Sequence, residues 1–567
     1  MYINEVENVR EFASLLGVDY SYLTYILYKK QPEKCYKSFE IPKKAGKTRI
    51  INAPADPLKF VQKRLSDQLW KYELYLREKN NINSKISHAF EKDKSIFTNA
   101  RIHKCKKYIV NLDLKDYFNS IHFGRVRGYF TNNNNYRLSL DIATIIAQLT
   151  CYHGYLPQGA PSSPIITNLI SNIMDIRLLS IAKKYRLNYT RYADDLTFST
   201  NDTKIIERFD AFLNDVDKIV RNSGFSLNEE KTRLQYFSSR QVVTGLVVNK
   251  KLNISRNYYK DTRAMAHSLY TKGKFIIDSN EGTLSQLEGR FSFINQIDKY
   301  NNNIDLSIKK RNFRTLNNHE EQYRRFLFFK YFYFNEKPLI ITEGKTDILY
   351  IKAALKKLNA DYPELVKKQA GDYNFKLAFL KRSTLLEYLF GFGKDGADSM
   401  KNLYNYFNGN NGFKDYYHYF QKISVHKSIC PIIFIFDNEM NNKNKPLYNF
   451  INHINISNSS KKLFEDKLYI SLIENGNLFL ATNHLVKDKS ECEIEDLFDD
   501  ELLELKLGNK VFDRSGKKDS KKYYSKDIFS KYVMKNYDDI NFERFRPFLN
   551  NLNAIIKLWN NDMTKPS

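Results

Sequence analysis

The sequence predicts a mixed α+β half followed by an α/β half built on a parallel sheet, and three observations carry this. Residues 189–199 alternate apolar and polar side chains on both sides of Ala193-Asp194-Asp195, the pattern of a β-hairpin with two carboxylates at its tip. Amphipathic helical segments flank that hairpin. After Asn335-Glu336-Lys337-Pro338 the pattern changes. Two apolar strands, at 339–342 and 431–436, alternate with helical stretches, and each is followed by acids. A chain of 567 residues exceeds one ordinary core, so two to four domains are expected.

Composition narrows the partner. The formal net charge of +26 predicts a polyanion, most simply nucleic acid. Forty Tyr and forty Phe suit stacking on unpaired bases as well as core packing. The five cysteines, Cys35, Cys105, Cys151, Cys430 and Cys492, are scattered and form no Cys-x-x-Cys, which fits a reducing cytoplasm and argues against a zinc module. No run reaches the roughly 18 apolar residues of a membrane span, and the acidic start does not read as a signal peptide. A cytoplasmic protein without membrane attachment is expected.

Taken in order, residues 1 to about 40 read as helical, with Val9, Phe12, Leu15 and Leu16 at helical spacing. Lys43-Lys44-Ala45-Gly46-Lys47-Thr48-Arg49-Ile50-Ile51 reads as a basic hairpin, suited to phosphate contact or equally a charged surface turn. A helix over about 58–75 follows. The strand 108–114 carries Asp113 near its end, a way to hold a metal ligand on a rigid element. A helix is expected over 136–150. The loop Leu156-Pro157-Gln158-Gly159-Ala160-Pro161-Ser162-Ser163-Pro164 opens another, whose stripe of Ile165, Ile166, Leu169, Ile170, Ile173 and Leu178 is assigned to the core. A helix over 203–223 and strands around 241–248 precede a helical, basic and aromatic stretch to 334.

The order Asp113…Phe118, then Gln158-Gly159-Ala160-Pro161-Ser162-Ser163-Pro164, then Tyr192-Ala193-Asp194-Asp195 resembles a reverse transcriptase. Asn99-Ala100-Arg101-Ile102-His103 and Val243-Thr244-Gly245 match two signatures of bacterial retron reverse transcriptases. The resemblance covers about 10–330. It implies a right-hand fold of fingers, palm and thumb, with fingers and palm over 1–250 and a basic thumb over 251–335. It implies that Asp113, Asp194 and Asp195 hold two Mg²⁺ ions for phosphoryl transfer. It further implies that Phe118 blocks a nucleotide 2′-hydroxyl, that Gln158 lines the dNTP pocket, and that Lys47 and Arg49 meet the triphosphate. Asn99, His103, Val243, Thr244 and Gly245 would serve RNA recognition or local packing. Membership implies a cognate structured non-coding RNA, priming from an internal guanosine 2′-hydroxyl, and a branched RNA–DNA product, multicopy single-stranded DNA (msDNA).

Glu343-Gly344-x-x-Asp347 and Asp437-x-Glu439 resemble the TOPRIM domain, a Rossmann-like α/β fold of topoisomerases, primases, ribonuclease M5-like enzymes and OLD-family nucleases. The match spans about 336–500, with 501–567 a basic extension. It implies Glu343 as general acid or base and Asp347, Asp437 and Glu439 on one or two further Mg²⁺ ions. Glu439 stands where the family has aspartate. Residues 492–498 are similar to an acidic OLD-type motif, which adds Glu493 and Glu495 as ligands. The reading is a fused nuclease acting in anti-phage defence on a nucleic-acid target, in a chain able to form a homo-oligomer. Two rivals stand beside it. One is a mobile-element enzyme of the group II intron type, disfavoured by the two retron signatures. The other is an RNA-binding protein with an inactive C-terminal domain, disfavoured by the intact acid triad.

Overall fold

The computed structural model describes the chain except for residues 43–47, 82–85, 305–310, 370, 394–397, 475, 515–518, 520 and 564–567. Contacts divide it into two units, Met1–Ser255 and Arg256–Ser567.

The first unit is built on four antiparallel strands in the order Asn188–Tyr192, Asp195–Thr200, Tyr108–Asp113, Arg233–Tyr236. The alternation around the acid pair forms the expected hairpin, with Tyr192 opposite Asp195 and only Ala193 and Asp194 between the strands. Ala193 takes a left-handed φ of 55°, costly for a residue with a Cβ. Helices Asp56–Lys79, Leu140–Thr150, Ser163–Lys184 and Phe209–Asn222 surround the sheet. A further helix, Phe123–Asn132, was not evident because Gly124 and Gly128 weaken the helical signal; burial of Val126 and Phe130 supplies its packing face.

Ser163–Lys184 is long and apolar enough to cross a membrane by length and composition, although polar residues interrupt its apolar run. Ile165, Ile166, Leu169, Ile170, Met174 and Leu178 on it are buried in the protein core. Ile173, also expected there, is exposed because it lies off that stripe.

The second unit is organised by a five-stranded sheet in the order Ala378–Phe379, Leu339–Thr342, Ile432–Phe436, Leu478–Thr482, Tyr469–Ser471. The first four are parallel and the last is antiparallel. Both faces are covered, which explains the continuous apolar runs. Ile340, Ile433, Ile435, Phe479 and Ala481 share one core with residues of helices Asp347–Lys357, Lys526–Lys535 and Arg546–Met563. Leu339, Ile341, Ile432, Phe434, Phe436 and Leu480 share the other with Leu269, Tyr270, Phe291, Tyr323 and Phe328 of helices Arg256–Lys272, Leu284–Ile304 and Asn318–Phe328.

The observed unit boundary therefore falls at 255/256, and no second boundary appears at 335/336. The helices of the expected thumb bury their aromatic side chains in the core of the sheet that follows, so the composition change at Pro338 marks a change of element and not a break in packing. Described residues of the expected C-terminal extension pack in the same unit: Phe529, Val533, Phe548, Leu549 and Leu552 are fully or almost fully buried in the sheet's other core.

Phe529 packs its ring 4.3 Å from that of Phe512 and 5.6 Å from that of Phe498. Phe529→Ala is expected to destabilise the second unit by about 3–5 kcal/mol. The chain has two tryptophans, Trp70 and Trp559. Denaturant unfolding followed by Trp559 fluorescence in a Trp70→Phe background measures the loss.

Candidate active sites

In the first unit, Asp113 ends its strand directly opposite Asp195 of the hairpin, and Leu114 N–H donates to the Asp194 carbonyl at 2.9 Å. Strand pairing thus brings the three acids of the expected triad to one end of the sheet. Burial, then the charges of Asp194 and Asp113, push Asp195 up to about 7. Burial and the Asp113 charge also raise Asp194, against the lowering effects of its own backbone N–H, Lys231 and Arg49. Lys231 donates to both Asp113 carboxylate oxygens, at 2.9 and 2.8 Å. Burial and mutual repulsion at one edge describe a set of hard oxygen donors suited to a divalent cation. Among the described residues, no three such side chains are already drawn to ligating separations.

What positions the hairpin is a buried network that the sequence reading missed. Arg191, fully buried, donates from Nε to Asp175 Oδ1 at 2.9 Å and from Nη2 to Oδ2 at 2.8 Å. Its Nη1 reaches the Tyr117 hydroxyl at 2.9 Å and the Ala193 carbonyl at 3.2 Å. The guanidinium therefore braces the strained turn that presents Asp194. An arginine within a strand and an aspartate within an apolar helix were the available signals, but nothing in sequence spacing joins positions 175 and 191.

The two signature motifs lie behind the hairpin. His103 meets Ser199 Oγ through Nδ1 and Thr190 Oγ1 through Nε2, both at 2.7 Å, and Thr190 donates to Asn99 Oδ1 at 2.6 Å. Thr190 and Ser199 belong to the two strands flanking the acids, so one imidazole ties both together. Asn99 and His103 are fully buried. Of the two roles expected for them, RNA recognition or local packing, their burial fits packing, since neither side chain reaches the surface. Val243 is buried too, while Thr244 and Gly245, at φ 44° and 83°, form the left-handed turn of a tight hairpin. Thr244 Oγ1 lies 3.5 Å from the carbonyl of Ile96, which opens the Asn99 helix, so the two motifs are neighbours.

Among the other expected residues, Phe118 is half-buried, with its ring near those of Tyr117 and Phe90. The Gln158 carbonyl accepts from Asn52 N–H at 2.8 Å, which ties its loop to the strand carrying Arg49. A Cβ at Gly159 would stand 2.8 Å from the Asn52 carbonyl, so this close approach requires glycine. Lys47 lies outside the described residues.

In the second unit, the parallel sheet collects a second acid group. Glu343 follows one strand and Asp437 the next. Asp347 opens a helix, and its Oδ2 accepts from Gly344 N–H at 2.9 Å. An Asn438–Cys492 bridge and an Ile494 N–H bond to Asp437 Oδ1 at 2.8 Å bring in the segment carrying Glu493 and Glu495. Burial and the charges of Asp347, Glu495, Glu343 and Glu493 push Asp437 well above the usual carboxylate range. Burial, with Glu439 and Asp347, raises Glu343 to about 7. Burial also raises Glu495 to about 7, with Asp347 and Glu493 adding to it against Lys526.

Glu343 Oε2 and Glu495 Oε2 are buried without a hydrogen-bond partner. Glu439 is buried and pairs with Lys445 at 2.6 Å. Glu493 is committed to cations, Lys526 at 3.0 Å and Arg514 at 3.3 Å, and they hold it below its usual range despite burial. Orphaned oxygens among crowded acids fit a hard cation at this second group.

A family model described as "Reverse transcriptase (RNA-dependent DNA polymerase)" matches residues 41–253. Retron Ec86 reverse transcriptase of Escherichia coli is 35% identical over 268 residues, 47% of this chain and 76% of that protein. The chain belongs to the retron reverse transcriptases. Retron Mx65 reverse transcriptase of Myxococcus xanthus is 34% identical over 45% of this chain and 62% of its own length. Retron Ec73 reverse transcriptase of Escherichia coli is 31% identical over 47% of this chain and 84% of its own. The α+β body that positions Asp113, Asp194 and Asp195 in this retron enzyme lies within the matched family model.

Burial holds His103 down to about 3, below the ordinary 6.5. The unfolded chain therefore takes up a proton that the fold refuses, and stability present above pH ~6.5 is lost as pH falls toward 3. Unfolding of the first unit, followed by Trp70 fluorescence in a Trp559→Phe background, is expected to show falling stability from pH 7 to pH 5. In His103→Gln that slope should flatten.

Proposed function

We propose that this retron reverse transcriptase is an RNA-directed DNA polymerase that copies a cognate structured RNA. It starts from an internal guanosine 2′-hydroxyl and uses dNTPs to make branched msDNA. The observation that carries the polymerase reading is the register of Asp113 against Asp195, with Asp194 in the adjoining turn. Asp113, Asp194 and Asp195 would hold Mg²⁺, which when bound supplies Lewis-acid stabilisation for the primer hydroxyl and the triphosphate. The chain's own groups do the rest. Arg49, whose charge reaches Asp194, is placed to offset triphosphate charge, a role Lys47 would share. Gln158, on the loop tied to Arg49's strand, lines the nucleotide pocket. Phe118 excludes a ribose 2′-hydroxyl by bulk. Arg191 and Asp175 keep the acid turn in place between turnovers.

The second unit is proposed as a TOPRIM-like nuclease effector in anti-phage defence. Its parallel sheet, with acids after two adjacent strands, supports this reading. Asp347, Asp437 and Glu495 would hold Mg²⁺, and Glu343, raised toward neutrality, is suited to proton transfer. Glu439, paired with Lys445, and Glu493, paired with Lys526 and Arg514, shape the field around them.

Nucleic acid co-purifying with the wild-type chain is expected to include a short DNA carrying a debranching-sensitive RNA stub. Asp194→Ala/Asp195→Ala should lack the DNA while keeping the RNA. RNA without DNA in both samples would sink the polymerase reading. Glu343→Ala should leave DNA synthesis intact and abolish protection against phage and toxicity to the host; unchanged protection would remove the effector assignment.

A further inference from the structure

Within the second unit, a cavity of about 280 Å³ opens among helices Arg256–Lys272, Asn318–Phe328 and Tyr416–Ile423. Lys260, Arg263 and His267 stand at i, i+3 and i+7 on the first helix, a spacing that puts them on one face. Arg325 comes from the second helix and Tyr419 from the third. None of the residues lining the cavity is acidic. Among the described residues, none of these basic side chains has a carboxylate within ion-pair distance.

Two features show that the cations are arranged and not merely solvated. Arg325 stacks on Tyr419, with its guanidinium carbon 4.8 Å from the ring centre and Nη1 3.3 Å from the hydroxyl. Its Nε is buried without a hydrogen-bond partner. Arg263 is carried over the Tyr259 ring, with its guanidinium carbon 5.6 Å from the ring centre. Stacking leaves guanidinium N–H edges free to donate in plane. Three permanent cations sharing one concavity without an acid repel one another, and a bound anion removes that cost. The unpartnered Arg325 Nε, a buried donor beside this concavity, points the same way.

We propose that this cavity is a phosphate-binding site, separate from both acid groups, which takes the phosphate of a nucleotide or of a nucleic-acid strand. The basic helix, Arg325 and Tyr419 all contact the one anion, so the ligand would join the aromatic helical bundle of the second unit to the Tyr416–Ile423 helix of its α/β part. The chemistry names the phosphate, and the source is decided by experiment.

The test uses the full chain, cleared of bound nucleic acid, in EDTA so that neither acid group contributes through a metal. Calorimetric titrations with ATP, with a 5′-phosphorylated tetranucleotide and with its dephosphorylated form measure affinity. Binding of ATP and the phosphorylated oligonucleotide, but not of the dephosphorylated one, assigns a terminal phosphate. Binding of both oligonucleotides assigns the phosphates of a strand. In either case Lys260→Glu/Arg263→Glu, both exposed positions, should weaken binding at least tenfold, and Arg325→Gln should weaken it with the stacked fold retained by thermal melting. The proposal is overturned if no probe binds the wild type, or if the exposed-site double variant binds every probe unchanged.

Discussion

The buried pair of Arg191 and Asp175 is the constraint on which the first unit's chemistry rests. A guanidinium without solvent requires a partner for its charge, and the carboxylate of the core helix supplies it in a two-point contact. Removing one partner of such a pair costs about 3–5 kcal/mol because the other is left charged in the interior. Here the pair also does positional work. The third edge of the same guanidinium holds the Ala193 carbonyl, so the strained turn before Asp194 is fixed from below. His103 does the complementary job on the strands, bonding one residue from each. Two acids that repel each other are thereby kept at one sheet edge without a flexible loop between them.

The two acid groups are built by different topologies toward the same end. In the first unit an antiparallel register sets Asp113 against Asp195. In the second, parallel strands end side by side and each delivers an acid, with a third segment stitched in through Asn438 and Cys492. Both sites crowd carboxylates in a partly buried place, and both lean a lysine against them, Lys231 in one and Lys526 in the other. The lysines offset repulsion among acids that would otherwise destabilise the fold. The oxygens left without partners, on Glu343 and Glu495, are those from which a cation would gain most.

The second unit shows why composition is a poor guide to where cores end. Its basic helical stretch is rich in Phe and Tyr, and those rings bury themselves against one face of the sheet, while helices Asp347–Lys357, Lys526–Lys535 and Arg546–Met563 cover the other. A parallel sheet needs both faces covered. The helices that supply the cover come from both sides of the strands in sequence, which is why neither Pro338 nor residue 500 separates independent bodies.

Much was legible in the sequence because it depends on local rules. Alternation around Asp194-Asp195 specified a hairpin, since side chains on a strand point to alternate faces. Apolar runs followed by acids specified parallel strands with carboxylates at their ends. The reverse transcriptase motifs, in order, named the acids that the fold brings together. Only the tertiary structure decided which distant residues share a charge or a hydrogen bond. Arg191 reads as one more strand residue and Asp175 as a flaw in an apolar helix until they meet. Asn99 and His103 leave RNA recognition and local packing both open until the fold buries them. The reason is physical: periodicity records which face a side chain points to, whereas burial, pairing and repulsion depend on what the rest of the chain places opposite it.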